Sequence, residues 1–145
     1  MNVLETNNMT EEEKHQLTFV FDIDGTLCPL KKKEQKYEDL VPYPEMVAKI
    51  REYKKNGAKI VFYTSRNMNT YDSNIGKINV NTGRIIFAWL DKWQIPYDEV
   101  VFGKVWPGHN GFYVDDRTIR PDEFLKYTTD ELSRICAGSR CEEKA

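Results

Sequence analysis

Residues 17–27 read LTFVFDIDGTL, and this stretch decides the fold that the sequence predicts. Leu17, Phe19, Val20 and Phe21 are apolar on nearly consecutive positions, a pattern typical of a strand that is buried on both faces at the centre of a parallel sheet. The carboxyl end of such a strand opens into the crevice where α/β proteins bind ligands. We therefore expect the residues that follow the strand to line a site.

Two carboxylates, those of Asp22 and Asp24, stand at this end of the strand. Their charges repel each other, and burying both is costly unless a cation lies between them. A divalent metal ion would meet that need. The alternative interpretation is an acidic turn that closes the strand, in which Gly25 supplies the tight bend.

Length and charge limit the class of protein. With 145 residues we expect one domain over residues 17–136, preceded by an N-terminal arm (1–16) and followed by a flexible C-terminal tail (137–145). The 21 Lys and Arg residues against 23 Asp and Glu residues, a net charge of -2, argue against a general nucleic-acid binder. The first 16 residues are polar, so we expect no signal peptide and no membrane span.

The cysteines indicate the compartment. There are three of them, and Cys136 and Cys141 lie in a polar tail without histidine partners, so we interpret them as free thiols. An odd number of widely spaced cysteines forms no disulfide framework, which favours a cytoplasmic protein.

The first half of the chain predicts a strand, helix, strand order. Residues 28–43 form a long, lysine-containing loop, either a flap that attracts an anionic substrate or a solvated segment. A helix should begin at Pro44 and end at Gly57. A second buried strand over 58–63 then delivers Thr64 to the same sheet edge as the acidic pair.

The second half continues this alternation. We expect Thr82 to be the N-cap of an amphipathic helix, after a polar segment that begins at position 67. Residues 100–102 and 111–114 should be the third and fourth strands, and residues 121–135 one helical segment.

Six polar residues just beyond predicted strands should meet at one edge of the sheet: Asp22, Asp24, Thr64, Lys104, Asp115 and Asp116. Oxygen ligands alone favour a hard cation, and Mg²⁺ typically takes one or two carboxylates together with phosphate oxygens and waters. The sequence offers no histidine and cysteine set that would compete for zinc. Mg²⁺ is therefore the expected cofactor.

The segment DIDGTL at 22–27 resembles the first motif of the haloacid dehalogenase-like (HAD) superfamily of aspartyl-phosphate phosphatases. Across about residues 17–125 the chain further resembles the capsule or extracellular-polysaccharide biosynthesis phosphatase subfamily. The segments that carry this second likeness are TSRNM at 64–68, NIGKIN at 74–79, YDE at 97–99, GK at 103–104, GFYVDDR at 111–117 and RP at 120–121.

The resemblance implies a fold and a mechanism. The fold is a single Rossmann-like, three-layer domain with a central parallel sheet, strand order 3-2-1-4 and no cap domain. Asp22 would be the nucleophile and Asp24 the acid and base, with Thr64 and Lys104 contacting the phosphoryl group. The resemblance implies a metal site made by Asp22, Asp24, Asp115 and Asp116, and it leaves open which of the last two ligates Mg²⁺ directly.

Without a cap, specificity must come from loops or from a neighbouring subunit. The side chains expected around the substrate are those of Ser65, Arg66, Asn67, Lys77, Trp106, His109 and Arg117. By analogy, the substrate is a small phosphorylated metabolite, such as a sugar or polyol phosphate in polysaccharide biosynthesis. We expect no nucleic-acid or membrane partner, and the sequence leaves a homo-oligomer open.

Three alternative functions have to be compared with this one. A receiver-like signalling domain also uses an acidic cluster, a Thr or Ser and a Lys to hold a phospho-Asp, but in another chain order. A nucleotide monophosphatase would share the mechanism and differ in substrate. A phosphomutase is disfavoured because the chain lacks a cap to exclude water.

Overall fold

A computed structural model describes residues 15–141, and these residues form an α/β structure around an open parallel sheet. The sheet contains β1 (Thr18–Phe21), β2 (Lys59–Thr64) and β3 (Glu99–Phe102) in the order β1-β2-β3. Both pairings are parallel, and Phe21 lies opposite Phe62. The carboxyl ends of the three strands therefore lie at one edge, as the sequence predicts.

Residues 15–141 contain four helices besides the sheet. They are α1 (Pro44–Lys55), α2 (Ile75–Lys77, continued through a π-helical segment Ile78–Thr82 into Gly83–Lys92), α3 (Pro121–Lys126) and α4 (Thr129–Gly138). A single 3-10 turn, Tyr37–Asp39, interrupts the long loop between β1 and α1.

Helix α1 confirms the prediction from its two ends. Pro44 occupies the first turn, where its missing N–H costs nothing, and Gly57 follows the last turn in the left-handed region at φ 95°. Val47 and Ile50 lie on the buried face. The hydrogen bond from Lys59 N to Leu17 O then aligns β2 beside β1.

Helix α2 begins earlier than predicted. Its N-cap is Asn74, whose side chain accepts a hydrogen bond from Lys77 N, whereas Thr82 is helical at φ -77° and ψ -38° and makes no cap bond. The Thr82 hydroxyl instead donates to Asn67 Oδ1 at 2.6 Å. The polar composition of residues 74–81 concealed about two more helical turns, because this part of the helix exposes most of its side chains.

The predicted helical segment over 121–135 is divided into α3 and α4. The helical segment is interrupted at Thr128. The Thr128 hydroxyl accepts a hydrogen bond from Glu131 N at 3.3 Å, and the Glu131 carboxylate accepts one from Thr128 N at 3.1 Å. This reciprocal pair is a capping box, which starts a new helix. Helix α4 extends to Gly138, two residues beyond the predicted end of the domain.

The core on one face of the sheet is largely aromatic. Phe19 and Phe21, two positions apart on β1, point to the same face. The Phe124 ring of α3 meets both nearly at right angles, with centroid distances of 5.2 and 5.0 Å. Tyr53 of α1 lies 4.7 Å from Phe19, so these contacts hold both helices against β1.

Strand β1 is not buried on both faces, which corrects the prediction. It is an edge strand, and Val20 is 61% exposed. The fourth strand predicted over 111–114 is not formed: Phe112 and Val114 of this segment are 88% and 98% exposed, and the described sheet has three strands. Residues 111–114 do not pair with the free edge of β1, and without a paired neighbour and a buried face the segment does not form a strand.

The predicted N-terminal arm lies mostly outside the described residues, as does the end of the C-terminal tail. Across residues 15–141, each helix is too short or too polar to cross a bilayer.

Candidate functional site

A cleft of about 1200 Å³ opens at the carboxyl ends of β1 and β2. Many of the predicted site residues line it: Asp22, Asp24, Ser65, Arg66, Asn67, Lys104, Trp106, Asp115 and Arg117. Thr64, Lys77, His109 and Asp116 are not among its lining residues. The cleft lies where ligands bind in open α/β sheets.

Asp22 follows β1 directly and carries the best-placed carboxylate in this cleft. Its Oδ1 lies 3.7 Å from Lys104 Nζ, and its Oδ2 accepts a hydrogen bond from the Thr26 hydroxyl at 3.2 Å. Burial raises the pKa of Asp22 above its usual value, Lys104 and Thr26 oppose this, and the Asp24 charge adds to it. A partly desolvated carboxylate beside a cation is suited to nucleophilic attack, because little water has to be removed from it.

Two glycines bring these groups together. Gly25, at φ 87°, forms the turn after Asp24, and its N–H donates to Cys28 O at 2.8 Å. Gly103, at φ 84°, precedes Lys104, and a Cβ there would lie 2.5 Å from the Ile75 side chain. Glycine is favoured at position 103 because of this positive φ, while a Cβ would also require the exposed end of the Ile75 side chain to move.

Lys104 is held through its backbone and its side chain. Its N–H donates to Thr64 O at 3.1 Å, which extends the β2–β3 pairing to the edge of the site. Its ammonium lies 4.5 Å from the centre of the Tyr113 ring, in addition to its ion pair with Asp22. The lysine predicted to face the phosphoryl group thus points into the cleft.

Asp24 forms a bidentate ion pair with Arg66. Arg66 Nε donates to Oδ2 at 3.0 Å and Nη2 donates to Oδ1 at 2.9 Å, and the Arg66 side chain is 2% exposed against 20% for Asp24. The Cys28 thiol approaches the same carboxylate at 3.8 Å. Burial and the Asp24 charge raise the pKa of Cys28 to about 12, so this cysteine stays a protonated thiol.

The aromatic ring of Tyr37 covers the Arg66 guanidinium, with 4.2 Å between the guanidinium carbon and the ring centroid. Arg66 Nη1 is buried and has no hydrogen-bond partner. Arg66 N donates to the Thr64 hydroxyl oxygen at 3.1 Å, and Thr64 is 1% exposed. The predicted phosphoryl ligand Thr64 therefore supports the Arg66 backbone in this arrangement.

The two acidic residues that follow the fourth predicted strand have different partners. Asp115 lines the cleft, and its Oδ1 accepts from Arg117 N at 2.8 Å. Asp116 instead pairs with Arg140 at 2.9 Å, and this hydrogen bond lowers the pKa of Asp116. Within residues 15–141, no three His, Cys, Asp or Glu side chains come close enough together to hold a metal ion.

Of the remaining predicted substrate residues, Asn67 and Trp106 line the cleft, whereas Lys77 and His109 do not. Asn67 lies in the left-handed region at φ 62°, which asparagine tolerates better than most residues, and Thr82 holds its side chain. Trp106 meets the exposed His109 edge-on at 4.9 Å. Lys77 is exposed on α2.

The sequence reasoning did not identify Tyr37, Cys28 and Tyr113, each of which contacts a residue predicted to act in the site. Cys28 could have been found from its position just after the DIDGTL motif. Tyr37 lies in a loop without periodicity, and no sequence signal connects it with Arg66.

The described residues define an α/β protein with a parallel open sheet and a carboxylate-lined cleft at the carboxyl ends of its strands. No protein-family model matches the chain, and neither does any curated protein. A protein from Vibrio cholerae, known by its crystal structure, is 42% identical and superimposes with a TM-score of 0.80 over 86% of this chain and 100% of that one. The chain belongs to the same protein family as this Vibrio cholerae protein.

A chain in the structure of the Pnkp1/Rnl/Hen1 complex is 21% identical. It aligns with a TM-score of 0.44, over 77% of this chain and 34% of that one. A likeness of this size carries no functional argument.

Proposed function

We propose that the protein is a Mg²⁺-dependent phosphomonoesterase of the HAD superfamily that works through an aspartyl-phosphate intermediate. One observation carries the proposal: Asp22, Asp24 and Lys104 line one cleft at the carboxyl edge of the sheet, with 3.7 Å between Lys104 Nζ and Asp22 Oδ1. A carboxylate nucleophile, a second carboxylate and a cation are the groups that phosphoryl transfer to an aspartate requires.

Asp22 attacks the phosphorus in line with the bond to the leaving oxygen. Lys104 then offsets negative charge on the phosphoryl oxygens, and before substrate binds it opposes the rise in the pKa of Asp22 that burial causes. Thr26 donates to the oxygen of Asp22 that does not face Lys104, so the carboxylate is held on both sides. This orientation reduces the freedom that the nucleophile would lose on attack.

Asp24 moves the proton. It protonates the leaving alkoxide in the first step and takes a proton from the attacking water in the second. Arg66 donates a hydrogen bond to each of its oxygens, which fixes the orientation of the carboxylate.

The acidic side chains fit Mg²⁺ by their chemistry. Asp22, Asp24 and Asp115 offer only oxygen ligands to the cleft, and Mg²⁺ commonly uses one or two carboxylates and fills its other positions with phosphate oxygens and waters. When bound, Mg²⁺ neutralises charge on the phosphoryl group. In the proposal, the Asp22 carboxylate and the Asp24 backbone carbonyl would hold the ion, and Asp115 and Asp116 would complete its surroundings.

We also propose that residues 111–114 pair with the free edge of β1 when the site is occupied, which gives the strand order 3-2-1-4. The exposure of Val20, Phe112 and Val114 supports this, because pairing would cover side chains that now face water. It would carry the two acidic residues that follow toward Asp22. Hydrogen exchange at 111–114 should slow by at least about tenfold with Mg²⁺ and a phosphate analogue, and unchanged exchange would contradict strand addition.

The proposed substrate is a sugar or polyol phosphate of polysaccharide biosynthesis, and the proposed location is the cytoplasm. Aromatic rings support a sugar, because Tyr63, Trp106 and Tyr113 line the cleft and could cover the apolar face of a pyranose. The substrate is bound by loop side chains in this proposal, since the described chain between β1 and β2 forms only the long loop, one 3-10 turn and α1.

The test is a phosphatase screen over sugar, polyol and nucleotide monophosphates, with and without Mg²⁺. We expect release of phosphate only with Mg²⁺, highest for a sugar or polyol phosphate. Asp22→Asn should reduce turnover more than about 1000-fold, whereas Asp72→Asn, which changes an exposed aspartate outside the cleft, should not.

Two outcomes would overturn the proposal. Activity that survives Asp22→Asn would exclude the aspartyl-phosphate mechanism. A phosphoprotein that lasts many minutes after treatment with acetyl phosphate, without turnover of any ester, would indicate a receiver-like signalling domain instead.

A further inference from the structure

The long loop between β1 and α1 is fixed against the rest of the molecule. Trp89 Nε1 of α2 donates to Leu40 O at 2.7 Å, and this bond is buried. Tyr43 N donates to Leu27 O at 2.9 Å and closes the base of the loop. Between Leu27 and Leu40, the 3-10 turn Tyr37–Asp39 places the Tyr37 ring at the wall of the cleft.

At this wall Tyr37 contacts the arginine that holds Asp24. The guanidinium of Arg66 gives two of its nitrogens to Asp24, and the third, Nη1, is buried without a hydrogen-bond partner. The Tyr37 ring, 4.2 Å from the guanidinium carbon, is a further contact on this group. A cation–π contact is stronger where the two groups are shielded from water.

We propose that Tyr37 is a positioning residue that acts through Arg66 to fix the direction of the Asp24 carboxylate. This inference rests on the proposed phosphatase function, in which Asp24 moves the proton. Two parallel hydrogen bonds make the plane of the guanidinium determine the plane of the carboxylate. The ring restrains that guanidinium plane, so the loop sets the geometry of proton transfer without itself touching the reacting atoms.

The alternative is that Tyr37 only fills space, since its ring also packs against the hydrophobic core. The two roles predict different kinetics. A ring that only fills space can be replaced by another apolar side chain of similar volume, whereas a ring that orients Arg66 requires its π face.

The experiment measures kcat and KM with Mg²⁺ for the sugar or polyol phosphate that the wild type hydrolyses fastest, because its alkoxide leaving group needs the proton. The variants are Tyr37→Phe, Tyr37→Leu and Tyr37→Met. We expect Phe to keep kcat within about twofold, and Leu and Met each to lower kcat about tenfold with KM changed less than about threefold. Tyr43→Leu is the matched control in the same loop, because its ring is exposed and its hydrogen bonds to Leu27 and Val47 are made by the backbone. It should behave as wild type.

A double-mutant cycle decides whether Tyr37 acts through Arg66. Arg66→Lys keeps the charge but loses the bidentate hydrogen bonds to Asp24. Adding Tyr37→Leu to this variant should therefore lower kcat by less than about a further twofold. The inference would be overturned if Tyr37→Leu lowered kcat about tenfold in the Arg66→Lys background as well, or if the Leu and Met variants had wild-type kcat.

The failures of the two proposals can be told apart. Suppose that the wild type hydrolyses the ester and Asp22→Asn does not, while Tyr37→Leu and Tyr43→Leu have the same kcat. Then only the role of Tyr37 is wrong. If wild type releases no phosphate from any ester with Mg²⁺, the phosphatase proposal is wrong, and the inference about Tyr37 falls with it.

Discussion

The buried ion pair between Arg66 and Asp24 predicts a large and specific loss of stability when one partner is removed. Arg66→Met deletes the cation and leaves the Asp24 carboxylate without its two charged hydrogen bonds. Breaking a buried pair in this way typically costs about 3–5 kcal/mol. Asp24 is 20% exposed and recovers some hydration, so we expect a smaller cost, about 2–3 kcal/mol.

That loss should be visible in thermal and urea unfolding. For a domain of this length, each kcal/mol shifts Tm by roughly 3–4 °C, so Arg66→Met should lower Tm by roughly 6–12 °C. Lys54→Met is the matched control, because it removes a lysine paired with Asp98 at 2.6 Å in a more exposed position, with side-chain exposures of 38% and 33%. Exposed pairs contribute about 0–1 kcal/mol, so this variant should lose much less.

The double variant Arg66→Met/Asp24→Asn separates the ion pair from lost packing. With both charges gone, no buried charge is left unpaired. The losses of unfolding free energy in the two single variants should therefore add up to about 2 kcal/mol more than the loss in the double variant. The reasoning is refuted if Arg66→Met costs less than about 1 kcal/mol, or if the two changes add within about 0.5 kcal/mol.

The remaining predictions concern the nucleophile, the glycine before Lys104 and the metal. Because the folded pKa of Asp22 lies above its unfolded value of 3.8, this residue favours folding below that pH and loses the contribution as pH rises through the folded pKa. Asp22→Asn should therefore raise Tm relative to wild type more at pH 7 than at pH 3.5, and an equal difference at both would contradict the raised pKa. Gly103→Ala should lower Tm by several degrees and reduce phosphate release, because alanine is strained at φ 84°; unchanged unfolding would show that the turn is not strained. Chelation with EDTA should abolish ester hydrolysis, added Mg²⁺ should restore it, and activity that persists in EDTA would exclude the proposed cofactor.

The sequence predicted the elements with strong local signals. The apolar runs at β1 and β2 and the Pro44 and Gly57 ends of α1 depend on neighbouring residues alone, and each is present. The strand ends then place Asp22 and Lys104 together, because parallel strands share a carboxyl edge. This much of the candidate site follows from alternation along the chain.

The failures come from contacts that local sequence does not encode. Residues 111–114 have the composition of a strand, but a strand needs a partner, and here the edge of β1 stays free. The Tyr37 contact joins a loop to a residue beyond β2, 29 positions away in the numbering of Tyr37 and Arg66. Asp116 pairs with Arg140 of the last described segment, which no motif predicts.

The π-helical segment of α2 has a consequence for how the helix tolerates change. A π turn carries one extra residue relative to an α-helix, and the helix on either side keeps its own phase. Trp89 can therefore stay bonded to Leu40 while Thr82, in the wide turn, reaches Asn67 at the rim of the cleft. Deleting the exposed Asn81 should convert this stretch into an ordinary helix that still packs, with Asn67 released from its anchor. The extra residue is then a spacer that can be removed to loosen the cleft without unfolding the domain.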